Sequence, residues 1–174
     1  MSTKCLLTKN PCGNKRTLHN DHTVFLAYQF SSDYYRGFDL LSSVRLGVES
    51  ANQEAKKSGL SVSFKQVSRN EGFHIWCEIC EGIINSSVCI FEISDNNPNV
   101  YLELGLAIAH GKEIVLVRNR TSGDVPSDLA GIKYVSYSNE SELEELHIIF
   151  AQIIAKTIFE LQSSVGGIND DRIS

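Results

Sequence analysis

The stretch Ser87 to Gly111, SVCIFEISDNNPNVYLELGLAIAHG, sets a strand, a polar turn and a helix in a row. Ser87 to Ile93 is a short apolar run rich in β-branched and aromatic side chains, which predicts a strand covered on both faces. Ser94 to Asn97 is polar and closes it. Asn97 is suited to capping the next helix, Pro98 to its first position, where a missing N–H costs nothing, and Gly111 to the left-handed conformation that ends it. A helix is therefore expected over Pro98 to Gly111. A strand feeding a helix through a short polar turn is half of a βαβ unit, from which parallel sheets are built.

The same alternation runs outward in both directions. Thr23 to Phe30 (TVFLAYQF) predicts a first strand, closed by Ser31, Ser32 and Asp33. From about Tyr35 to Lys57, Phe38, Leu41, Val44, Val48, Ala51 and Ala55 recur at helical spacing, and Ser58-Gly59 stops the run. A strand over Ser61 to Val67 and a helix over Phe73 to Asn85 precede the opening stretch. After it come strands at Glu113 to Val117 and Ile132 to Tyr137, separated by a loop over Arg118 to Leu129. A long helix over Glu140 to Leu161 follows, with Leu143, Leu146, Phe150, Ile153, Ile154, Ile158 and Leu161 on its core face. Five strands alternating with helices predict an α/β, three-layer fold: a five-stranded parallel sheet with helices on both faces and right-handed crossovers. Several doubly wound strand orders fit that alternation. In all of them ligands bind at the carboxyl ends of the strands, so Gln29 to Asp33 and Ser94 to Asn97 are the loops expected to carry function.

A length of 174 residues with 42% hydrophobic residues is enough for one domain with one core. The expected organisation is an N-terminal cysteine-containing extension over 1–22, an α/β domain over 23–162 and a flexible tail over 163–174. With 16 Lys and Arg against 21 Asp and Glu, the formal charge of -5 argues against a partner as polyanionic as a long nucleic acid. Five cysteines is an odd number, no leader-like hydrophobic segment opens the chain, and no apolar run reaches the ~18 residues of a membrane span. These features predict a reduced, cytoplasmic protein without a membrane partner. Neither G-x-G-x-x-G nor G-x-x-x-x-G-K-[ST] is present, which removes the dinucleotide-binding and P-loop readings. A phospho-acceptor reading of Asp95 needs acidic partners where Ala27-Tyr28-Gln29-Phe30 stands.

Glu103 is the one charge in Val100 to Ala109, where the apolar residues lie on nearly every face and predict a largely buried helix. Gly105 in the same run suggests close approach of a neighbouring backbone. A carboxylate in such surroundings must be paired, protonated or placed at a cleft wall, because desolvation raises its pKa. At the carboxyl end of the sheet, near Asp95, it could stabilise developing positive charge or serve as nucleophile or base.

The string Ile93 to Lys112, ISDNNPNVYLELGLAIAHGK, resembles the signature of nucleoside 2-deoxyribosyltransferase-like proteins and of their relatives, the bacterial Toll/interleukin-1-receptor-like (TIR-like) domains. The resemblance extends from Thr23 to Leu161 in the order of elements and is specific over this string. It implies a flavodoxin-like or TIR-like arrangement, and a glutamate, here Glu103, that acts at the anomeric carbon of a ribosyl group. The implied reaction is N-glycosidic cleavage of NAD or a related nucleotide, with Asp95 as a ribose- or proton-positioning partner and no cofactor needed for catalysis. Tyr28, Gln29, Phe30, Ser31, Asn97 and Asn99 would line the substrate site, with Tyr28, Phe30 and Tyr34 offering aromatic surface. The deoxyribosyltransferases place an aspartate where this chain has Asn96 and Asn97, which leaves that activity as an alternative. TIR-like folds also serve as non-catalytic nucleotide-sensing or assembly modules, and their enzymes often assemble, so a homo-oligomer is implied.

Cys77 and Cys80 form a C-x-x-C on the second helix, and Cys5 and Cys12 lie in the polar N-terminal extension. Four thiolates can make a tetrahedral structural zinc site, and buried unliganded thiols are the alternative. The same resemblance pairs such an extension with such a helix. Cys89 is expected in the core. No triad can be read around His19, His22, His74, His110 or His147.

Overall fold

The computed structural model describes residues 21–65, 75–124, 126, 129, 132 and 134–166. The chain runs β1 (Asp21–Ala27), α1 (Gly37–Lys56), β2 (Ser61–Lys65), α2 (Ile75–Asn85), β3 (Val88–Glu92), α3 (Pro98–Ala109), β4 (Glu113–Asn119), β5 (Tyr134–Tyr137) and α4 (Glu140–Gly166). All strand pairs are parallel, in the order β2-β1-β3-β4-β5. That is the flavodoxin-like order, and it reverses direction between β1 and β3. The sheet has a hydrophobic core on each face. Val24, Leu26, Ile90, Val115 and Val117 point to the side of α1 and α4. Phe25, Ala27, Cys89, Phe91 and Leu116 point to the side of Ile83 in α2 and of Val100, Leu104 and Ala107 in α3. The strands read as continuous apolar runs because consecutive side chains serve opposite cores.

Several boundaries shift from the sequence reading, each for a local reason. β1 ends at Ala27, three residues short of Phe30, because the Tyr35 hydroxyl accepts from Gln29 N–H (3.0 Å) and donates to Gln29 C=O (2.8 Å). A side chain thus takes the groups a ladder would use. β4 extends through Arg118 and Asn119, which pair with Ser136 and Tyr137 of β5 instead of opening a loop. β5 begins at Tyr134. In α1 the apolar phase is set by Leu40, 0% exposed, and Phe38 is 76% exposed instead of facing the core. α4 runs beyond Leu161 to Gly166, and Leu161 is exposed. There Ser163 and Ser164 hydroxyls donate to the carbonyls of Phe159 and Glu160, so the helix continues without an apolar face.

α3 is the largest departure. Only Val100, Leu104 and Ala107 are buried, while Leu102 and Ile108 are 56% and 48% exposed. One stripe meets the sheet and no described element covers the outer face. A Cβ on Gly105 would meet nothing within 4 Å, so the close backbone approach expected there is absent. It occurs at Gly47 of α1, where a Cβ would sit 2.7 Å from Phe150 Cβ and 3.0 Å from His147 C=O of α4. Among the described residues, no helix is long and apolar enough to cross a membrane. Of the extension predicted over 1–22, Asp21 and His22 belong to β1; residues 1–20, residues 66–74 with His74, and the chain beyond 166 lie outside the described residues.

Candidate functional site

The strand order reverses between β1 and β3, where Ala27 pairs with Phe91, and open α/β sheets bind ligands in the crevice at the carboxyl ends of such strands. The loop leaving β1 is tied down by Tyr35, which is buried. Its two bonds to Gln29 free the Gln29 side chain to reach across the crevice. Gln29 Oε1 accepts from Asn97 Nδ2 (2.8 Å), and Gln29 Nε2 donates to Ser31 C=O (2.7 Å). Gln29, Ser31 and Asn97 are thereby brought together. Asn97 Oδ1 also accepts from Asn99 N–H (2.8 Å), capping α3 as its sequence predicts. The Asn99 side chain is exposed. Tyr28 and Phe30 stack at 5.0 Å between ring centroids, with Phe30 half exposed, and Tyr34 packs on the core.

Asp95 lies in the turn between β3 and α3. It makes no hydrogen bond or ion pair with any described residue, and its Oδ2 is sealed from solvent. Asn96, next to it, has φ +52°, a left-handed conformation that asparagine tolerates better than most residues. The Asn96 side chain accepts from the Tyr101 hydroxyl (2.7 Å).

Glu103 stands in the second turn of α3, half-buried, with no hydrogen bond or ion pair among the described residues. Burial alone pushes its carboxyl up to about 7. Two rules of helix geometry place it. At about 100° per residue it lies on the flank opposite Tyr101, the residue that feels Arg118 of β4, and so on the side of α3 away from β4. Its Cα–Cβ bond tilts toward the helix N-terminus, and so toward the carboxyl ends of the strands. A carboxyl titrating near neutrality can serve as acid, base or nucleophile.

The residue that sequence reasoning missed is Glu92, the last of β3 and 2% exposed. Its Oε2 accepts from Ser94 N–H (3.2 Å), and its Oε1 accepts from the hydroxyls of Ser94 and Tyr137, the latter at 3.1 Å. Ser94 Oγ in turn accepts from Asn119 N–H at 2.7 Å. Burial raises Glu92 to about 7 against the opposing pull of those hydrogen bonds, with Asp95 adding to the rise. The phenols of Tyr35 and Tyr137 are pushed well above their ordinary range, first by burial and then by Glu92. The signal in the sequence was the one used for Glu103: a lone charge in an apolar run.

Cys77, Cys80, Cys89, Arg36 and a large cavity lie elsewhere. Cys77 and Cys80 are half-buried and one turn apart on α2, and Cys5 and Cys12 are outside the described residues. No group of three or more metal-binding side chains occurs among the described residues. Cys89 is fully buried, and burial pushes its thiol to about 12. Arg36 is exposed and paired with Asp39 (2.7 Å) and Glu140 (3.0 Å). A cavity of about 370 Å³ lies at the opposite, amino edge of the sheet, lined by Asn85, Ser87, His110, Lys112 and Thr157 among others. None of the residues around Glu103 or Asp95 lines it.

No family model matches the chain, and no curated protein matches it. Among solved structures, the chain is similar to the CMP N-glycosidase BcmB of Clostridium botulinum, at 20% identity over 71% of this chain and 97% of that one, with a TM-score of 0.49. It is also similar to diflavin flavoprotein A3 of Nostoc sp., at 13% identity over 82% and 98%, with a TM-score of 0.44. Likenesses of this extent assign no chemistry to the chain. Its flavodoxin-like topology rests on its own strand order.

Proposed function

We propose that this protein cleaves the N-glycosidic bond of a nucleotide, NAD being the preferred candidate, with Glu103 as the reacting carboxylate and Asp95 as the ribose- or proton-positioning partner. The observation that carries this reading is Glu103 itself: a half-buried carboxyl, unpartnered among the described residues and raised to about 7. The resemblance over Ile93 to Lys112 supports the same residue. As the C1′–N bond breaks, its electron pair leaves with the base and C1′ becomes oxocarbenium-like. The Glu103 carboxylate stabilises that centre or bonds to it, and water then adds to C1′, giving up one proton to a carboxylate. Nicotinamide leaves NAD as a neutral base and needs no proton, so one ionised glutamate can suffice. The stacked pair Tyr28 and Phe30 offers a face for a planar base.

The test is incubation of the purified protein with NAD, and separately with deoxynucleosides plus a free acceptor base, followed by chromatography. Nicotinamide release is expected, lowered at least ~10³-fold in Glu103→Gln and falling as the pH drops through about 7, where Glu103 takes up its proton. Equal activity of wild type and variant would overturn the role of Glu103. Base exchange would make the protein a deoxyribosyltransferase, and no turnover at any protein concentration would favour a binding or assembly module.

A structural zinc held by Cys5, Cys12, Cys77 and Cys80 belongs to the same proposal. Residues three apart on a helix share a face, as two ligands of one ion must. Zinc at one equivalent by elemental analysis is expected, and its absence from protein with reduced thiols would remove the site. A reducing compartment such as the cytoplasm suits those thiolates.

A further inference from the structure

Asp95 is expensive where it stands. A sealed carboxylate oxygen without a donor is unfavourable, and the chain would relieve it by a small turn rotation if the turn were free to rotate. The turn is held from both sides. After Asp95, Asn96 is bonded to Tyr101, and Asn97 to Gln29. Before it stands Ser94, whose N–H and hydroxyl both go to Glu92 and whose oxygen also accepts from Asn119 N–H. Glu92 reaches further to the Tyr137 hydroxyl, so one carboxyl joins the ends of β3 and β5, and Ser94 ties both to β4. Among the described residues Glu92 has no cationic partner. An apolar residue would fill this interior position without the cost of burying a carboxyl, so packing alone does not account for Glu92.

We propose that Glu92 is a positioning residue: through Ser94 it locks the turn Ser94 to Asn97 in the one conformation that presents Asp95 to the substrate. The proposal rests on the reading of Asp95 given above and adds the residue that enforces it. Asp95 Oδ2 keeps no donor because Glu92 denies the turn the rotation that would supply one, a case of strain held at a site by its surroundings.

The test uses Glu92→Gln and Ser94→Ala, each alone and combined with Asp95→Asn, with two readouts. The first, which needs no turnover, is amide hydrogen exchange at Asn96, whose N–H donates to Ile93 C=O (3.2 Å) only while the turn is held. A rise of ten-fold or more in both single variants is expected, and unchanged exchange in either would overturn the lock. The second is the kcat and KM of the glycosidic reaction. Glu92→Gln is expected to lower kcat about ten-fold with KM little changed, and to cost nothing further in the Asp95→Asn background. Losses that multiply in the double variant would show that Glu92 does not act through Asp95. If wild type turns over no nucleotide, the proposed function fails by itself, and the positioning role for a substrate falls with it even where the exchange result holds. Should Glu92→Gln not fold, Ser94→Ala removes the same link while leaving Glu92 and Tyr137 in place.

Discussion

Glu92 and Glu103 are two acids of the same stretch with the same direction of pKa shift and different surroundings. Glu103 has no described partner, whereas Glu92 accepts three hydrogen bonds, and burial still outweighs them. The Glu92 shift makes a stability prediction. Folded Glu92 titrates at about 7 against 4.5 for an unperturbed glutamate, so folding favours the protonated form. Its contribution is fully present below about 4.5 and is lost as the pH rises through about 7. The loss amounts to at most ~3 kcal/mol for a shift of this size. In Glu92→Gln the residue cannot titrate. Urea unfolding at pH 4.5 and at pH 8 should therefore show wild type losing more stability between the two than the variant does. Parallel losses would mean that Glu92 titrates normally. Both acids were equally visible in the sequence as lone charges in apolar runs. Glu103 was read from it because a helix has flanks where a charge can reach a cleft. Glu92 was passed over because a central strand offers only two buried faces. What made Glu92 tolerable, Ser94, Tyr137 and Asn119, comes from three different strand ends that no local pattern connects.

Among the elements, the strands were legible and the helix faces less so. A buried parallel strand announces itself by composition, and its phase is irrelevant because both faces are covered. A helix has a single buried stripe whose phase depends on what lies opposite. In α1 the stripe centres on Leu40, with Leu41 at its edge and Phe38 in solvent, and in α3 the buried stripe is only Val100, Leu104 and Ala107. Glycine roles are exchanged for the same reason: contact, not helix membership, decides them. Gly105→Ala should stabilise by roughly 0.5–1 kcal/mol, since a Cβ there meets open space and alanine is the better helix former. Gly47→Ala should destabilise by about 1–3 kcal/mol, because the methyl would press on Phe150 and the His147 carbonyl where α1 and α4 touch. Thermal or urea unfolding of the two variants decides it. The same sign for both would mean that α1 can move off α4.

At the scale of the whole molecule, the alternation of strand and helix was enough for a parallel three-layer sheet. The order β2-β1-β3-β4-β5 was not contained in it, because strand order depends on which way each crossover turns back over the sheet. That order puts the switch point between β1 and β3, and so brings the turn of Asp95 beside the loop of Gln29, the two being joined through Asn97. It also leaves α3 with an outer face that no described element covers. Leu102, Ile108 and the small residues Gly105 and Ala109 are exposed there, on the same helix as Glu103. Exposed apolar groups that cluster on one face are a common feature of surfaces that meet another chain. If a second copy covers this face, it packs on the outer side of the helix that carries Glu103, and assembly and activity are linked by mass action. Sedimentation over a range of protein concentrations should then show self-association that Leu102→Glu with Ile108→Glu abolishes, and turnover per chain should rise with concentration only in wild type. A wild type that sediments as a monomer throughout, or a double variant that associates equally, would place any assembly on another surface.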